Sequence, residues 1–168
     1  MHPLQPNKLK GRITARKVKY IPKGYHTLTS AIAVKGAAKA LDFYKKIFGA
    51  KVLLKLDGPK GSIVHSEIQI GDSFLMISDE DPNYNRSPKS VGSSTVVFSL
   101  YVEDVDKTIK KAVKAGAKII IPAADQFYGD RSGRIRDPFG HVWIISTHIE
   151  DVSPQEMNKR FTEMMKQG

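Results

Sequence analysis

The 168 residues carry a formal charge of +10, from 27 Lys and Arg against 17 Asp and Glu, and contain no cysteine. Apolar residues make up 40% and charged ones 26%, a balance that supports a packed core and excludes a disordered chain. The lack of Cys excludes a disulfide framework, a thiolate nucleophile and a Cys-based metal centre. No apolar run approaches the roughly 18 residues of a membrane helix, and the N-terminus has no continuous apolar leader, so a cytoplasmic protein without membrane partners is expected.

Residues 1–24 read as a basic, proline-bearing arm. Residues 1–25 hold Lys8, Lys10, Arg12, Arg16, Lys17, Lys19 and Lys23 without an acid, so this stretch supplies most of the net charge. Such an arm can touch phosphates without sequence preference. It offers only Tyr20 and Tyr25 as stacking groups, however, and nucleic acid is not the expected partner.

From His26 to Val34 apolar and polar residues alternate, which predicts a strand. Ala37, Ala40, Leu41, Tyr44 and Ile47 then recur at helical spacing, closed by Gly49. Short strands follow near 51–57, 62–70 and 73–78, with turns at Asp57-Gly58-Pro59 and Gly71-Asp72. Residues 79–94 are polar and broken by prolines, and read as a linker.

The pattern then restarts. Ser94 to Val102 alternates, with Val96, Phe98, Leu100 and Val102 on one side and Thr95, Val97, Ser99 and Tyr101 on the other. Asp104 to Ala115 reads as a helix closed by Gly116, and strands fit 117–121, about 131–136 and 141–147. A long loop, Ile121 to Gly133, is expected between the first two, with Tyr128, Asp130 and Arg131 placed where a lid would be. Val34 followed by Gly49-Ala50-Lys51-Val52 is matched by Val102 followed by Gly116-Ala117-Lys118-Ile119, at an offset of 67–69 residues that also aligns Gly71–Met76 with Gly140–Ile145. The expected fold is α+β: tandem βαβββ units at 25–78 and 95–150 forming a curved mixed sheet around a concave cleft. A final helix within 151–168 is announced by the capping box Ser153-Pro154-Gln155-Glu156. Its stripe of Met157, Phe161, Met164 and Met165 needs an apolar surface, and a twin subunit is the expected one: a homodimer.

His65 and Glu67 share one strand face and are the candidate acid–base pair. The repeat register sets them against Arg134 and Arg136, so a cleft wall of these four suits an anionic substrate. No GxSxG, HExxH, Walker A or strand-linked GxGxxG motif is present.

Two stretches, Val34-Lys35-Gly36-Ala37-Ala38-Lys39-Ala40-Leu41-Asp42-Phe43-Tyr44 through Phe48-Gly49-Ala50 and Tyr101-Val102-Glu103-Asp104-Val105-Asp106, carry a family resemblance. With Ala115-Gly116-Ala117 and Asp137-Pro138-Phe139-Gly140-His141, the chain resembles the vicinal oxygen chelate proteins, the glyoxalase/bleomycin-resistance/dioxygenase superfamily. The stretch Asp125–Arg131 resembles an uncharacterised bacterial glyoxalase-like branch. The resemblance implies a divalent metal held by four strands, two per unit, which acts as a Lewis acid. The implied ligand positions fall on Thr29, Val97, Ile144 and either Leu75 or Ile77, none of which binds a metal well. No metal and no cofactor are therefore expected. The expected function is binding of a small molecule in the inter-unit cleft, at Thr29, Val97, Ser99, Tyr101, Tyr128, Asp130, Arg131, Arg134, Arg136 and Ile144. The rivals are a metal-dependent lyase, isomerase or dioxygenase of the same superfamily, and a nucleic-acid partner of the basic arm.

Overall fold

The computed structural model describes residues 18–166. It contains two four-stranded mixed sheets, each with a helix against one face. The first unit runs β1 (Ser30–Val34), α1 (Ala37–Phe48), β2 (Lys51–Asp57), β3 (Ile63–Ile70) and β4 (Ser73–Asp79). The second runs β5 (Val97–Tyr101), α3 (Val105–Lys114), β6 (Lys118–Asp125), β7 (Asp130–Arg136) and β8 (Val142–His148). The strand orders, β1-β4-β3-β2 and β5-β8-β7-β6, are the same, with a parallel β1/β4 or β5/β8 pair at one edge. Between the units lies a short helical turn, α2 (Pro88–Val91), and α4 (Pro154–Met165) closes the chain.

Local chemistry accounts for the helix limits. Asp104 caps α3 by accepting from the Lys107 amide at 2.8 Å. Gly36 leaves α1 without a cap of its own, and the Asp79 carboxylate at the end of β4 replaces it by accepting from the Gly36 and Ala37 amides at 2.9 Å each. Its other oxygen accepts from the Ile63 amide at 2.8 Å, so one side chain ties β4, α1 and β3 together. At α4 half of the capping box forms: Ser153 Oγ accepts from the Glu156 amide at 3.2 Å, while the Glu156 carboxylate accepts from Arg160 Nε at 2.9 Å.

One core joins the units. Ile32, Val34, Ile68, Leu75 and Ile77 of the first sheet and Ile135, Trp143 and Ile145 of the second are buried in one cluster with the apolar residues of α1 and α3. Each fully buried Ile or Val contributes about 1.5–3 kcal/mol over the exposed state. Tyr44 and Phe48 of α1 reach Trp143 of the second sheet, with ring centroids 5.6 and 4.8 Å away. At their centre Asp137 is buried. Its Oδ2 accepts from Tyr44 Oη at 2.6 Å and Trp143 Nε1 at 2.9 Å; its Oδ1 accepts from the amides of Phe139 at 2.9 Å and His141 at 3.0 Å. A buried carboxylate is tolerated because it is so fully hydrogen-bonded.

Several expected boundaries shift. β1 begins at Ser30 rather than near His26, because the chain bends at Thr27 and Leu28 before it joins the sheet. The long loop expected over 121–133 is mostly strand. β6 continues through Pro122 on the sheet edge, where a missing amide costs no ladder bond, and only residues 126–129 form the turn before β7. The polar segment after β4 is also held in place: Glu80 accepts from the Ser87 amide and from Ser87 and Ser90 hydroxyls at 2.6–2.9 Å. Both outer-edge strands are bulged, β2 at Val52/Leu54 and at Leu56/Asp57, β6 at Ile119/Ile121 and at Ile121/Ala124.

Candidate functional site

Each sheet has one face against its helix and one open face. Strand pairing fixes which residues belong to the open face, since directly paired residues share a side and neighbours alternate. In the first unit Ala31 pairs with Met76 and Met76 with Glu67, so these share the open face with Ala33, Ser78, His65 and Phe74. Leu75 and Ile77, the two positions considered for a metal ligand, belong to the opposite side and lie buried against α1. The hairpin register explains the slip: Ile77 pairs with Ile32 as Ile145 pairs with Leu100, so the equivalent of Ile144 is Met76. Likewise Ser66 occupies in β3 the place of Gly133 in β7, so Glu67 corresponds to Arg134 and His65 to Ser132.

A cavity of about 600 Å³ lies over this first open face. Ala31, Ala33, Met76, Ser78 and His65 form its strand side, and Tyr84 and Arg86 of the connecting segment face them. His65 Nε2 lies 3.2 Å from Glu67 Oε1. Tyr25 adds a third member that sequence reasoning missed. Its ring stacks on Phe74 at 4.5 Å, and its phenol stands beside Glu67. Hydrogen bonding from Tyr25 and then from His65 holds the Glu67 carboxyl below its usual range, and the Tyr25 phenol is pushed up to about 12 by Glu67. An aromatic just ahead of a strand, after Gly24, was the only signal available. The same holds for Tyr84 and Arg86 within a segment that read as polar linker.

The second open face gathers Val97, Ser99 and Tyr101 of β5, Ile144 of β8, and Asp130, Arg134 and Arg136 of β7. Tyr101 Oη donates to Asp130 Oδ2 at 2.7 Å, and His148 Nδ1 lies 2.8 Å from Asp130 Oδ1. His148 Nε2 lies 3.0 Å from Asp151 Oδ1. Set between two carboxylates, Asp130 first and Asp151 second, His148 has its pKa raised. Tyr128 in the turn reaches Ser132 at 3.2 Å. Arg131 turns to the other side of the sheet, where Asp106 of α3 binds it at 2.7 and 3.0 Å and Asp125 at 2.8 Å. It therefore stands apart from Arg134 and Arg136 and fastens α3 to the hairpin. Among the described residues no ion pair or hydrogen bond joins His65 or Glu67 to Arg134 or Arg136, and none of Ser99, Tyr101, Tyr128, Asp130, Arg134, Arg136 or Ile144 lines the cavity over the first face. Arg134 Nε is buried without a partner among the described residues.

The positions that correspond to superfamily metal ligands are thus Thr29, Met76, Val97 and Ile144. One hydroxyl, one thioether and two hydrocarbons do not form a site for a hard or borderline divalent cation. The residues present do not fit that metal.

Comparison with known proteins agrees with this architecture. The profile of the Glyoxalase/Bleomycin resistance protein/Dioxygenase superfamily matches residues 25–145. The chain is 35% identical over 134 residues to the uncharacterized protein Mb0911c of Mycobacterium bovis, covering 77% of this chain and 88% of that protein. The X-ray structure of the Arabidopsis thaliana At5g48480 product is similar at a TM-score of 0.60 with 26% identity, over 73% of this chain and 98% of that one. TioX from Micromonospora sp. ML1 shares the fold at a TM-score of 0.57 with 23% identity, over 76% of this chain and all of the other. The chain belongs to the Glyoxalase/Bleomycin resistance protein/Dioxygenase superfamily.

Proposed function

We propose that the protein binds a small molecule on its open strand faces without the metal centre of its superfamily's enzymes. The cavity of about 600 Å³ over β1, β3 and β4 carries this reading. Its volume suits a small organic ligand. Ala31, Ala33, Met76 and Ser78 give it a narrow, largely apolar floor, and His65, paired with Glu67, stands at its wall to orient a polar group. Met76 takes the place where a metal ligand would project, and a thioether there favours an apolar or aromatic surface. The unit-2 candidates Val97, Ser99, Tyr101, Arg134, Arg136 and Ile144 form a second contact face for the same class of ligand. Two copies pair, with the exposed Met164 and Met165 of α4 supplying apolar contact area.

Metal analysis of protein purified without chelator tests the reading. The expected result is no stoichiometric divalent metal, together with a co-purifying small molecule in native mass spectra that is lost when Ser78→Phe fills the cavity. Stoichiometric zinc, nickel, iron or manganese that disappears in a His65→Ala, Glu67→Gln double variant would overturn it and make the protein a metal-dependent enzyme.

A further inference from the structure

Lys89, Lys118 and Arg136 open onto a second hollow of about 510 Å³, between α2 and the β6–β7 edge of the second sheet. Lys118 and Arg136 are directly paired across the strands, and Lys89 stands on the opposite wall. Like charges set directly opposite each other on a sheet destabilise it. Among the described residues none of the three cations has a carboxylate within ion-pair distance. Asp137 is the one acid among the described lining residues, and it cannot serve: its carboxylate is turned into the core toward Tyr44, Trp143 and two backbone amides.

The walls that carry the three residues are held in place. Gly140 has φ 98°, and a Cβ there would lie 2.9 Å from Pro88 Cβ, so the linker turn sits against the Asp137–Gly140 turn as closely as glycine allows. Glu80 fixes the other flank of α2 through Ser87 and Ser90. Ser93 lines the same hollow.

We propose that this hollow binds the phosphate group of a small phosphorylated molecule. A guanidinium fork, two ammonium groups and a hydroxyl supply donors for the oxygens of a dianion. A single carboxylate would leave charge unneutralised and donors unused. The site is distinct from the cavity over the first sheet and does not depend on that cavity's being metal-free, although Pro88 and Ser93 border both.

The test is titration of the full-length protein with inorganic phosphate, followed by ³¹P NMR and by the thermal midpoint, at ionic strength held constant with chloride. Saturable binding and a raised midpoint are expected. Lys118→Gln, Arg136→Gln and Lys89→Gln should each weaken the affinity roughly tenfold, the loss expected for one charge-assisted contact. Lys89 is exposed on the α2 turn, so its variant keeps the test readable if Arg136→Gln fails to fold. Phosphate acting no differently from chloride would overturn the proposal, as would unchanged affinity in Lys89→Gln. Tighter binding of a short single-stranded oligonucleotide through the same three residues would also overturn it, making the hollow part of a nucleic-acid surface.

Discussion

Tyr44 of the first unit donates a 2.6 Å hydrogen bond to the Asp137 carboxylate of the second, with both residues buried. This contact couples the two repeats: the second unit supplies three of the four donors to Asp137, and the first supplies the fourth.

Replacing Tyr44 with Phe should cost about 1.5–3 kcal/mol, the range for a buried bond to a charged acceptor. Chemical denaturation at neutral pH measures it. Burial, and then the Asp137 charge, push the Tyr44 phenol well above the ordinary tyrosine value of 10.0. The folded state therefore keeps this proton while the unfolded chain loses it. The stabilisation is complete below pH 10 and is lost as pH rises beyond it, so wild type and Tyr44→Phe should converge in stability in strong alkali.

The His148 pair with Asp130 and Asp151 gives a second pH dependence. Its pKa is raised from the ordinary 6.5, so its contribution is fully present below pH 6.5 and is lost as pH rises through the folded value. NMR titration should place the His148 midpoint above 6.5, and His148→Gln should flatten the fall in thermal midpoint over that window. A midpoint at or below the ordinary value would contradict the geometry.

The fold was largely legible in the sequence, and the limits have physical causes. Alternation assigned Phe98 and Leu100 to one side of β5 and Ser99 and Tyr101 to the other, because a half-buried strand must alternate. Trp143 pairs with Phe98 across β5 and β8 and so shares its side, buried against Phe48 and Phe98. The repeat failed as a guide to β4, because the turn after β7 is longer than Gly71-Asp72 and a one-residue change of offset exchanges the faces of a strand. That slip put Leu75 and Ile77 where Met76 belongs. Arg131 was misplaced because β7 was expected to begin one residue later and emerge from a lid. Tyr25 was hidden because its partners Phe74 and Glu67 lie on strands distant from it in sequence.

Tyr25 ties the start of the described chain to the first sheet through its stack on Phe74. Residues 1–17 lie outside the described part of the chain, and deleting them should leave the thermal midpoint nearly unchanged. Deletion through Tyr25 removes the stack on Phe74 and should lower the midpoint by a few degrees, as expected for loss of about 0.5–1.5 kcal/mol. Differential scanning calorimetry of the two truncations distinguishes these outcomes. Equal midpoints would show that Tyr25 adds nothing to stability.

Assembly gives the fourth prediction. Sedimentation at micromolar concentration should show twice the chain mass. α4 is partly docked on its own chain, since Phe161 meets Phe127 at 5.4 Å and Arg160 binds Glu150 through two bonds of 2.7 Å. Met164 and Met165 remain exposed beyond that contact. Replacing both with Asp should therefore give monomers with an unchanged circular dichroism spectrum. A wild type sedimenting at one chain mass would refute the dimer.

The bulged outer strands have a consequence for how the chain keeps company with itself in a crowded solution. β2 and β6 present Leu53, Leu54 and Leu56, and Ile119, Ile120 and Ile121, all at least 40% exposed, along sheet edges that no other described strand pairs with. Such runs are templates for fibrous stacking. Here each is broken where a neighbour would have to add: by the bulges, by the charges of Lys51, Lys55 and Lys118, and by Pro122, which offers no amide. The irregular edges keep these strands from propagating into a cross-β array. Pro122→Val, which restores an amide donor to the β6 edge, should raise thioflavin T-detected fibre formation above that of the wild type.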